Sequence, residues 1–176
     1  ARGEINVTER IRTYTVTGAT IQEVVRSMKR RGPDSTLHGR RALGLSDFRH
    51  RTRMRTSQKE GKCQVVGISI SLRIYHTWPR LSKNAKLAKS HRARWRTIRR
   101  MIIRHERRHG AFYRQFAREL QASLKRIPPQ SRCAQLRDRQ RSLTKKLLAR
   151  DRNRNRRFDR IQYKPFNARL KRLAPK

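Results

Sequence analysis

The sequence predicts an α+β domain: a small antiparallel sheet packed against a long helix that carries an HExxH motif, with a second helix antiparallel to the first. Two patterns point to that class. Apolar and polar residues alternate within Ile11–Thr17 and over Val66–Ile74, the period of a strand with one covered face. From Trp95 to Phe116 apolar residues and histidines recur at spacings of three and four, the stripe that one helix face presents to a core. A chain of 176 residues suits a single core of ordinary size. The patterned region runs over residues 11–162, with 1–10 as an N-terminal extension and 163–176 as a basic C-terminal tail.

In the first strand Tyr14 and Val16 alternate with Thr13, Thr15 and Thr17, and Gly18 ends it. Thr20 and Glu23 then make a capping box ahead of Ile21, Val24, Val25 and Met28, so a short amphipathic helix begins there and stops at Gly32 and Pro33. Between Phe48 and Met54, Arg49, Arg51 and Arg53 take alternate positions, which gives a strand with one strongly basic face. Val66, Ile68, Ile70, Leu72 and Ile74 share one side of the next strand, opposite Gly67, Ser69, Ser71 and Arg73. Pro79 opens a loop that lasts to Ser90. The long helix follows, from about Ser90 to Ile127, and Pro128 and Pro129 break it. Ser131 suits the cap of a second helix bearing Leu136, Leu143, Leu147 and Phe158, folded back on the first across a short connection.

Lys and Arg number 49 against 11 Asp and Glu, a formal net charge of +38. A small soluble domain usually carries a magnitude of roughly 2 to 8. Such a surface attracts any polyanion, whether nucleic acid, an anionic membrane surface or an acidic envelope polymer, and the attraction weakens steeply with salt. The arginines are spread along every element, and most aromatics fall at core positions. No stacking platform for base recognition is therefore legible. Arg or Lys interrupts every apolar stretch before it reaches the roughly 18 to 20 residues of a membrane-spanning helix. Cys63 and Cys133 are too few for a four-thiolate zinc site. They suffice for one disulfide closing a long loop, which would put the protein outside the reducing cytoplasm.

His105-Glu106-Arg107-Arg108-His109 is HExxH, and on a helix its imidazoles lie one turn apart on one face, where both can reach one metal ion. Zinc is the natural guest, and a catalytic zinc site adds a third protein ligand while leaving one position for water. Glu106, beside the first ligand, is placed to take a proton from a metal-activated water as it attacks a carbonyl. The blander reading is a helix with two hydrogen-bonded, buried histidines and a solvated Glu106. Glu119 is too far along the same helix to complete the site, about 15 Å from His109 at 1.5 Å per residue. A simple antiparallel hairpin from Ser131 brings positions 149–153 level with the histidines, which points to Asp151. Asp159 lies two turns further on, beside Phe158. Taken singly, either Asp also suits an exposed partner for the surrounding arginines.

The order of these features, Tyr14 to Gly18, Gly32-Pro33, Cys63 opening a strand, Trp95, the HExxH motif, Cys133 and Phe158-Asp159, resembles the family called domain of unknown function 922, predicted secreted zinc-dependent proteases. The resemblance covers Ile11 to about Asn167. It implies a zincin-like domain, a Cys63–Cys133 disulfide, His105 and His109 as zinc ligands and Glu106 as catalytic base. Towards the C terminus the family often has Tyr-Asp followed by Thr-x-His-Gly. Here only Phe158-Asp159 matches, with Gln162-Tyr163-Lys164 where Thr and His would stand. The resemblance therefore favours Asp159 as third ligand, while hairpin geometry keeps Asp151 as the rival.

These readings together predict a secreted or periplasmic zinc metallopeptidase acting on a peptide or protein substrate. The alternative is a non-catalytic basic protein that binds nucleic acid or another polyanion, in which HExxH is incidental.

Overall fold

The computed structural model describes residues 2–35 and 40–175. Strand β1 (Arg2–Val16) starts at Arg2 rather than Ile11, so the polar stretch before Ile11 is extended backbone within a sheet. Helix α1 (Ile21–Arg31) has the reciprocal cap that its sequence predicts. The Thr20 hydroxyl accepts from the Glu23 N–H, and Glu23 Oε2 accepts from the backbone N–H groups of Thr20 and Ala19. Such a cap stabilises a helix by about 1 kcal/mol. Two short strands, β2 (Asp34–Ser35) and β3 (Arg40–Arg41), pair antiparallel.

β4 (Leu45–Lys59) and β5 (Lys62–Leu81) form a hairpin across Glu60 and Gly61, whose φ angles of 51° and 69° are those a tight primed turn demands. The three long strands are ordered β1-β5-β4, and the sheet is mixed rather than wholly antiparallel. The β1–β5 connection runs through α1 and β4 and is long enough for parallel pairing. β5 continues through Pro79, where a loop is expected. Trp78 is buried there, and the Ser82 N–H donates to the Val16 carbonyl at 2.8 Å, which keeps the chain extended.

Helix α2 (Lys89–Lys125) matches its predicted bounds closely. Helix α3 (Cys133–Leu173) runs through Pro165 into the expected tail. Pro165 removes one helical hydrogen bond, and Phe166 and Leu170 beyond it pack against apolar neighbours that hold the helix on course. Among the described residues no helix is long and apolar enough to cross a membrane.

The chain forms two compact units. The first comprises Ala1–Thr8, Phe48–Ile74 and Ala111–Arg157. Its core sets the inward row Ile68, Ile70, Leu72 and Ile74 against Phe116 and Leu120. Cys63 and Cys133 form a disulfide in it, and Cys63 and Gln130 exchange backbone hydrogen bonds at 2.7 and 2.9 Å. The chain leaving α2 is thus drawn to the start of β5 before α3 begins, and is not a simple tight turn. The second unit comprises Glu9–Asp47, Tyr75–Gly110 and Phe158–Lys176. Its core gathers Val16, Ile21, Val24, Met28, Trp78, Trp95 and Ile98.

Candidate metal centre

The HExxH motif and Asp159 both belong to the second unit. His105 and His109 project from one face of α2, their ring centroids 4.9 Å apart and their Nε2 atoms 3.2 Å apart. Asp159 Oδ1 lies 3.0 Å from His105 Nε2 and 2.9 Å from His109 Nε2. Phe158 stacks on His105 at 4.8 Å and meets His109 edge-on at 5.3 Å, which restrains both ring planes. Phe166 meets His105 at 6.0 Å.

The three donor atoms make a triangle with edges of 2.9, 3.0 and 3.2 Å. Bonds of about 2.0–2.1 Å to a tetrahedral ion require donor separations of about 3.3 Å. A small divalent cation therefore fits with only slight expansion. Two imidazole nitrogens this close to a carboxylate need a positive partner, either a proton donated from nitrogen to Asp159 or a cation held by all three. Burial alone would raise the Asp159 carboxyl, but hydrogen bonds from His105 and His109, together with their charge, outweigh it and hold the group well below the usual carboxylate range. Asp159 is thus a ready anionic ligand.

Glu106 lies beside this triangle and is only 4 % exposed. Burial pushes its carboxyl up, more than the Ser46 hydrogen bond and the two histidines pull it down. Its Oε2 accepts from Ser46 Oγ at 2.7 Å. Ser46 Oγ is also 2.7 Å from Nδ1 of the buried His76. The Tyr14 hydroxyl donates to the Leu43 carbonyl at 2.7 Å, and burial, followed by the charge of Glu106, raises its pKa.

Asp151, the residue that hairpin geometry favours, is not a member of this cluster. It lies in the first unit, buried, with one carboxylate oxygen accepting from Asn155 Nδ2 at 3.0 Å. Glu119 of α2 meets Arg154 at 3.1 Å in that unit. The hydrogen-bonded Ser46 and His76 are absent from the predicted site. His76 was findable, because it continues the inward parity of Ile70, Leu72 and Ile74 on β5.

A mixed sheet, an HExxH helix and a two-histidine, one-aspartate cluster define an α+β protein with a candidate metal centre. The chain belongs to the family described as bacterial protein of unknown function (DUF922), whose profile matches residues 11–164. No curated protein and no solved structure matches it.

Proposed function

We propose that the protein is a zinc-dependent peptidase that works outside the reducing cytoplasm, in a secreted or periplasmic setting. The observation that carries this reading is the convergence of His105 Nε2, His109 Nε2 and Asp159 Oδ1 beside the buried carboxylate of Glu106. The Cys63–Cys133 disulfide supports the compartment.

In this reading His105, His109 and Asp159 hold the ion. A divalent ion so held would polarise a peptide carbonyl and acidify a water molecule at the same point. Glu106 takes the proton of the attacking water on its carboxylate as the carbon–oxygen bond forms. It then returns that proton to the amide nitrogen as the carbon–nitrogen bond breaks, so hydrogen and hydroxyl are added across the peptide bond. Burial suits it to both halves, since a raised carboxyl pKa makes it the stronger base and lets it carry the proton between the two steps. Phe158 keeps the imidazoles in a fixed orientation.

Incubation with dye-quenched casein tests the reading. Hydrolysis that a chelator stops, and that returning zinc restores, is the expected result. Absence of cleavage by the zinc-loaded chain would count against it.

A second reading, a polyanion-binding protein, is favoured by the part of β4 that lies in the first unit. Arg49, Arg51, Arg53 and Arg55 are exposed at alternate positions, while Phe48, His50, Thr52 and Met54 are half-buried. That reading predicts salt-sensitive nucleic-acid binding unaffected by Glu106→Gln, and no hydrolysis.

A further inference from the structure

Glu106 is one residue on from His105, about 100° round the helix at 3.6 residues per turn. Its carboxylate therefore needs something beyond helix geometry to hold it in one orientation beside the histidines. Both of its oxygens meet the segment that leads into and begins β4. An atom added at the Cβ position of Gly44 would lie 2.6 Å from Glu106 Oε1 and 2.8 Å from Ile102 Cγ2, so the close approach requires glycine. Ser46 Oγ holds Oε2 at 2.7 Å and lies 3.1 Å from the Glu106 backbone carbonyl.

A serine hydroxyl has one proton and two acceptor lone pairs. In the ionised state that a base requires, the Glu106 carboxylate, like its backbone carbonyl, can only accept, so the Ser46 proton is then directed to Glu106. His76 Nδ1, 2.7 Å from Ser46 Oγ, must then be the donor into the serine oxygen. His76 has little freedom to do otherwise. It is 1 % exposed, stacked with Trp78 at 5.6 Å, and its Nε2 faces Glu9 Oε1 at 3.7 Å.

We propose that Gly44, Ser46 and His76 are positioning residues that fix the Glu106 carboxylate for proton transfer, with His76 setting the direction of the Ser46 hydrogen bond. The proposal rests on the peptidase reading and adds residues that no pattern in the motif identifies. Ser46 and His76 act through Glu106 and touch neither ion nor substrate. Removing the hydroxyl leaves the base present but loosely aimed, which lowers turnover without loosening substrate or metal.

The test uses the full, metal-loaded chain. Ser46→Ala is expected to lower kcat on dye-quenched casein about 10- to 100-fold, the range of changes one shell out from a metal site, with KM and metal per chain at wild-type values. Ser46→Thr, which keeps a hydroxyl, is expected to recover most of kcat. A role in packing alone would not produce that split or that rescue. In ¹⁵N NMR of the metal-free chain, His76 is expected to carry a slowly exchanging proton on Nδ1 that Ser46→Ala makes fast-exchanging. Should Ser46→Ala fail to fold, Gly44→Ala is expected to give the same kcat loss by crowding Oε1. Full kcat in a metal-loaded Ser46→Ala chain, or an unprotonated His76 Nδ1 in the wild type, would overturn the proposal and leave the peptidase reading standing. A wild-type chain without hydrolysis overturns that reading instead, and the catalytic role of Ser46 with it.

Discussion

Asp159 Oδ1 lies 2.9 Å from His109 Nε2, closer than the 3.2 Å that separates the two histidine nitrogens from one another. The aspartate from α3 therefore closes the site that α2 opens. Asp159→Ala should weaken zinc binding about 10-fold or more, since even partners one shell further out are worth that much. Asp151→Asn should leave zinc affinity unchanged. Isothermal titration with zinc separates the two variants, and equal losses in both would discard Asp159 as the specific ligand.

Glu106→Gln should lower kcat about 100- to 10,000-fold, the usual contribution of a general base, while zinc per chain stays at the wild-type level. The metal-free chain gives an independent check through stability. A carboxyl whose folded pKa is raised favours the folded state below its unfolded value near 4.5, and that contribution is lost as pH rises through the folded value. Above the folded value the ionised carboxylate is thus a burden on the fold, and there Glu106→Gln should unfold at a temperature no lower than wild type. A clearly lower midpoint would show that the ionised carboxylate stabilises the fold.

What was legible in the sequence was mainly local. The Thr20–Glu23 cap, the parity of Ile68 to Ile74 and the helical stripe through His105 and His109 each follow from spacing within one element. Less legible was whatever depends on a neighbour. The stretch Arg2–Arg10 has too few apolar residues to declare a strand, because its order comes from pairing with β5. The choice between Asp151 and Asp159 depends on the register between two helices, which no spacing within either one fixes. The stretch 163–176 reads as a basic tail, yet α3 continues through Pro165, with Phe166 and Leu170 in the apolar cluster of the second unit. Ser46 joins the site through β4 and His76 through β5, and neither carries a motif.

The Cys63–Cys133 disulfide closes a loop of sequence separation 70. Chain entropy gives such a closure about 4 kcal/mol. The Cys63→Ser/Cys133→Ser chain should lose stability of that order in urea unfolding, and reduction of the wild type should match it. An unchanged urea midpoint would contradict this.

His50 should make the stability of the fold depend on pH. Burial lowers its pKa beneath the usual 6.5, with the ring packed against Phe116 at 5.2 Å and its Nδ1 buried without a hydrogen-bond partner among the described residues. The unfolded chain then takes up the proton first, so stability is fully present above pH about 6.5 and falls as pH drops below it. His50→Leu should flatten that part of the profile in thermal unfolding from pH 7.5 to 5. An identical slope in both chains would rule out His50 as its source.

The central claim is that His105, His109 and Asp159 hold one metal ion together. Mass-spectrometric metal analysis of the purified chain, after zinc loading and dialysis, tests it most directly. About one zinc per unmodified chain, falling to a small fraction in His105→Ala, is the predicted result. Zinc that the unmodified chain does not retain, or that His105→Ala retains in full, would contradict the account.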